Sequence, residues 1–92
     1  MTEAQAEAIA VQALGWMASD DEVMGGFLGV TGASVEDLRA RAADPEFLGF
    51  VLDYLLSDDS MVMAFCDATH CPASAPMEAR GALPGGAVPH WT

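Results

Sequence analysis

The chain has 92 residues, the length of one domain, and a body of this size buries only about 60–65% of its unfolded surface. Hydrophobic residues make up 52% of it, more than so small a body hides, so an exposed apolar patch is expected, and with it a protein partner or self-association. Against 14 acids stand three arginines and no lysine, for a net charge of −11, which disfavours nucleic-acid phosphates and anionic membrane surfaces.

Apolar residues recur at helical spacing, no stretch alternates, and Ala, Leu and Met outnumber the β-branched residues, so an all-α fold of about six short helices is expected. The first helix is predicted over Glu3–Ala18, with Thr2 and Gln5 as a capping box and Ile9, Ala13, Trp16 and Met17 on its buried stripe. A second follows Ser19, read as its cap through Ser19-x-x-Glu22, carries Val23, Met24, Phe27 and Leu28, and closes at Thr31-Gly32. Within it, Gly25-Gly26 is expected to permit a close helix contact. The third is capped by Ser34 and reaches about Ala43. Asp44-Pro45 restarts the chain, because Pro fits the first helical position, where no amide donor is needed. The fourth helix, Glu46–Leu56, is apolar almost all round and is therefore expected to be central and buried. A fifth follows Ser57 with Met61, Val62 and Phe65. The sixth, Pro76–Ala82, is short, contains Gly81 and is expected to be the weakest. Pro84-Gly85-Gly86 ends regular structure, giving one domain over 1–84 and a loose tail over 85–92.

The chain also repeats itself. At an offset of 38, residues 16–31 and 54–69 are identical at Ser19/Ser57, Asp20/Asp58, Asp21/Asp59, Phe27/Phe65 and Thr31/Thr69, and Trp16/Tyr54 adds an aromatic pair. Two three-helix units, 6–43 and 44–82, sharing one core about a pseudo-two-fold axis are the expectation this supports.

Ten of the acids fall at predicted helix starts: Glu3, Asp20, Asp21, Glu22, Glu36, Asp37, Asp44, Glu46, Asp58 and Asp59. There they face the positive end of the helix dipole, worth about 0.3–1 kcal/mol each at a surface. Arg39, Arg41 and Arg80 lie toward helix ends, where cations belong. Most of the acidity therefore has a structural reading. The paired aspartates do not have calcium-loop spacing.

Of the candidate sites, Cys66-Asp67-x-x-His70-Cys71 is the sharpest, since thiolate and imidazole suit zinc or copper and Cys66 and His70 are spaced i,i+4. A closed zinc site usually needs four ligands, and no C-x-x-C partner occurs elsewhere in the chain. Their counterparts in the first unit are Leu28, Gly32 and Ala33, which makes them variants of packing positions; the metal reading is kept only as an alternative. Residues 20–42 resemble a helix-turn-helix, but the second helix begins with Glu36 and Asp37, so it is read as a packing corner. No nucleophile elbow, phosphate loop or metalloprotease motif occurs, and His90 falls in the tail. Met17, Met24, Met61, Met63 and Met77 read as core, or where exposed as an adaptable surface. The N-terminus MTEAQAEAIA shows no export signal, and the longest apolar run, Phe47–Leu56, is about half what a bilayer requires.

The first helix with its A-x-x-A-L-x-W-like pattern, the segment Gly32, Asp37, Leu38, Arg39, Arg41 and Ala42, the start at Asp44-Pro45 and the closing Ala82–Gly86 together resemble a family of small bacterial proteins, domain of unknown function 3572. The likeness spans residues 4–84. It implies a small all-helical cytoplasmic protein and supplies no activity, cofactor or catalytic residue. The expectation is then a cytoplasmic, non-enzymatic protein-interaction module without cofactor, binding neither nucleic acid nor membrane. The alternative is a metal- or redox-responsive protein using Cys66, His70 and Cys71.

Overall fold

Side-chain oxygens start five of the six helices: Thr2, Asp20, Ser34, Asp44 and Asp58 each accept from an amide of the first turn. The computed structural model describes residues 1–83. Its helices are α1 (Glu3–Ala18), α2 (Asp21–Thr31), α3 (Val35–Arg41), α4 (Pro45–Leu56), α5 (Asp59–Thr69) and α6 (Ala75–Ala82), with no strand among the described residues. The fold is an all-α bundle, about 29 × 27 × 26 Å. All ten of the acids assigned to helix starts stand there, three of them as caps.

Two caps differ from the sequence reading. Asp20 and Asp58, not Ser19 and Ser57, begin α2 and α5: each carboxylate accepts two amides, from Glu22 and Val23 at 3.0 and 3.3 Å and from Ser60 and Met61 at 2.8 and 3.4 Å. The serines close the preceding helices instead, donating their hydroxyls to the carbonyls of Trp16 and Tyr54, both at 2.6 Å. A carboxylate makes the stronger, charge-assisted bond to an amide, and the serine is spent one position earlier. α3 also stops at Arg41 rather than Ala43, as Asp44 N–H donates to the Arg41 carbonyl and turns the chain into its next cap.

The centre is made by α1, α4 and α6, which pack on one another, with α2 against α1 and α5 against α4. On α1 the innermost residues are Ala6, Ala10, Ala13 and Met17, fully buried, while Ile9 and Trp16 flank them half-buried. Alanines at this spacing let two neighbouring backbones approach closely. That explains the place of α6: despite Gly81 and the absence of a side-chain cap, it buries Ala75, Pro76 and Ala79 and packs closely on α1. Its weak intrinsic propensity is thus offset by packing against α1 and α4. α3 lies outside this centre and makes no comparable approach to α1 or α4. It buries only Leu38.

α4 buries Phe47, Leu48, Gly49, Val51, Leu52 and Leu55, yet turns Phe50 outward. α6 is tied to it by Arg80, whose Nε donates to Asp53 Oδ1 at 2.6 Å and whose Nη2 donates to Oδ2 at 3.1 Å. A methyl group at Gly49 would stand 2.9 Å from Arg80 Nη1, so the missing side chain makes room for the guanidinium. Gly26 does the same for the hydroxyl of Tyr54, whereas Gly25 faces open space.

Ring contacts cross between the two halves. Trp16 meets Phe65 edge-on at 5.9 Å and 68°, and Tyr54 meets Phe27 edge-on at 5.3 Å and 68°. Under the offset of 38, Trp16 corresponds to Tyr54 and Phe27 to Phe65, so each contact is the exchange of the other. Phe27 also meets Phe47 at 6.1 Å.

Candidate functional site

The cysteine cluster sits where α5 ends. His70 closes that helix in the left-handed conformation, φ 59°, with its amide bonded to the Cys66 carbonyl, which also accepts from Cys71 N–H at 3.1 Å. Gly32 holds the equivalent position in α2, φ 71°. The histidine is thus in a backbone conformation that glycine adopts at least cost, and its side chain is exposed. Cys66 is buried and donates its thiol to the Pro72 carbonyl at 3.4 Å, and Cys71 Sγ accepts the Thr69 hydroxyl at 3.3 Å. Burial, and after it the neighbouring Cys71, pushes the Cys66 thiol up to about 11, so at neutral pH it is protonated and a poor nucleophile and ligand. Among the described residues, no three His, Cys, Asp or Glu side chains converge to hold a metal ion. Cys66, His70 and Cys71 are neighbours in the chain, but nothing in their geometry favours a metal or redox role.

The two Ser-Asp-Asp segments are likewise occupied by capping. Asp20 and Asp58 face first-turn amides, while Asp21 and Asp59 lie exposed in the first turns of α2 and α5. At the helix-turn-helix-like corner, Ser34 and Asp37 form a reciprocal capping box. The Asp37 carboxylate accepts from Ser34 N–H at 3.0 Å, the Ser34 hydroxyl accepts in return at 3.2 Å, and these bonds hold the Asp37 carboxyl below its ordinary range. That corner presents acids, not cations, at the start of α3.

What the surface does offer is apolar. Val30 and Phe50 are 75% and 63% exposed, the most outlying large hydrophobics of α2 and α4. Between these helices lie two concavities that share Val30, Thr31 and Phe50. One, of about 270 Å³, extends past Phe47 to Arg41. The other, of about 350 Å³, extends past Phe27 and Tyr54 to Asp53 and Ser57. They adjoin at Val30, Thr31 and Phe50 and are together called the trough; on its inner side the fully buried Phe27 meets Phe47 and Tyr54 edge-on. A second, separate apolar concavity of about 330 Å³ lies where α1, α2 and α3 meet, bordered by the exposed Val11 and Val35. Met63 and Met77 are exposed, Met17 and Met24 are core, and Met61 packs half-buried at its edge.

Sequence reasoning expected an apolar surface without locating it. Phe50 stands in a helix where nearly every residue is apolar, so periodicity does not say which side is left over. Val30 is followed by the Thr31-Gly32 stop and resembles a core residue by type alone.

No helix among the described residues is long and apolar enough to cross a membrane. Comparison with known proteins yields no match to any curated protein, and none to any solved structure. A family model described as "protein of unknown function (DUF3572)" does match, over residues 3–86, from the first residue of α1 to beyond α6. A match over nearly the whole chain, on a bundle whose first helix, Asp44-Pro45 restart and α3 segment all fall within it, shows that the chain belongs to the DUF3572 family.

Proposed function

We propose that the chain is a non-enzymatic protein-interaction module whose contact surface is the trough between α2 and α4. The observation that carries this reading is the exposure of Val30 and Phe50 where two apolar concavities adjoin. Contiguous apolar surface costs solubility and is retained on monomers mostly where something binds. The polar groups support the same reading by being otherwise employed: Asp20 and Asp58 of the two Ser-Asp-Asp segments cap helices, and the Cys66 thiol is held protonated in the interior.

The test compares the wild-type chain with the double variant Val30→Ser/Phe50→Ser as baits in a native lysate. A protein partner retained by the first and lost by the second supports the reading. A wild-type chain that sediments as a strict monomer and retains nothing that the double variant loses overturns it.

A further inference from the structure

We propose that the occupant of the α2–α4 trough is a cationic amphipathic helix supplied by a partner; this rests on the reading of the trough as a docking surface. Shape is the first argument. Along α4 the trough runs from Phe47 to Ser57, ten residues at 1.5 Å each, or about 15 Å, which matches roughly three turns of a docked helix. It is concave, and a helix about 10 Å across is the convex element that fills such a furrow. A second copy related by a two-fold axis would set this concave face against itself.

Charge is the second argument. On α4, Glu46 precedes Phe50 by one turn and Asp53 follows it by three residues, so both carboxylates share its face; Glu22 begins the row of α2 that leads through Gly26 to Val30. The arginines at the trough already face acids: Arg80 is bonded to Asp53, and Arg41 stands within electrostatic reach of Asp37. Glu22 and Glu46 remain exposed beside the apolar strip, on a chain of net charge −11. An apolar face flanked by Lys or Arg meets both demands, and the field of the whole chain speeds its arrival.

The experiment titrates the full ¹⁵N-labelled chain with a synthetic Leu/Lys amphipathic helix of about 14 residues, and separately with its Leu/Glu counterpart. The Leu/Lys peptide is expected to shift amides in 26–33 and 46–57. Its affinity is expected to fall at least tenfold in Phe50→Ser and to weaken as salt is raised, while the Leu/Glu peptide binds at least tenfold more weakly. Shifts scattered over the helix starts near Asp20, Asp44 and Asp58, with Phe50→Ser unaffected, would overturn the proposal, and so would equal binding of the Leu/Glu peptide. Shifts in 26–33 and 46–57 that follow protein concentration alone would assign the trough to a second copy, which overturns the cationic helix while keeping the docking surface.

Discussion

The corner between α1 and α2 and the corner between α4 and α5 are built alike and finished differently. In each, a serine closes one helix, the next aspartate opens another, a phenylalanine enters the core, and a threonine hydroxyl returns to that phenylalanine's carbonyl at 2.9 Å. The finish is Gly32 in one and His70 in the other, both left-handed. Beyond it the two halves part: α3 lies on the outside, whereas α6 enters the centre between α1 and α4. The comparison teaches that short-range signals recur with the sequence, while the place of a helix depends on which faces remain to be covered. α6 brings Ala79 to the alanine stripe of α1; α3 brings one leucine.

The largest expected effects come from the matched anchors. Phe27→Ala and Phe65→Ala should each cost about 3–5 kcal/mol in urea denaturation. Phe27, with two ring partners against one, should be the costlier. Equal small losses would break the equivalence of the corners as core anchors. Next come the caps. Asp20→Ala and Asp58→Ala should each lose about 1 kcal/mol, and Ser19→Ala and Ser57→Ala under about 0.5 kcal/mol. The reverse order would return the caps to the serines. At the left-handed positions the signs should oppose. Gly32→Ala should destabilise by about 1 kcal/mol although nothing crowds its Cβ, and His70→Gly should stabilise by about 0.5–1 kcal/mol. Thermal melts of the two variants would sharpen the contrast between the corners.

The smallest effect is in pH. Asp37 has a carboxyl pKa lowered by its bonds to Ser34, so its contribution to stability is present above its unfolded value. That contribution is lost as pH falls through the folded value, below the ordinary carboxylate range. The acid limb of a stability–pH profile should therefore be shallower in Asp37→Asn. The matching turn from α5 into α6 has no such capping box, because α6 begins without a side-chain cap.

Much of this fold is legible in the residues because its signals are local. Thr2 with Gln5, Ser34 with Asp37 and Asp44-Pro45 each act within one turn, and α1 and α4 end where the pattern ends. The Ser-Asp-Asp caps are legible only to within one residue, because serine and aspartate are both good caps and only the geometry shows which faces the amides. Contacts across the molecule leave a weaker trace. Asp53 is the one acid inside an apolar helix, which signals a partner without naming Arg80, 27 residues away. The trough was the least legible feature. The outward turn of Phe50 is decided by α1, α5 and α6 occupying the other sides of α4.

The central claim is that Val30 and Phe50 serve binding and are not needed to hold the fold. Urea denaturation of the Val30→Ser/Phe50→Ser variant tests it most directly. The account predicts a stability within about 1 kcal/mol of wild type, as for surface positions. A loss of about 3 kcal/mol or more, the cost of a core phenylalanine, would contradict it by making the strip part of the interior.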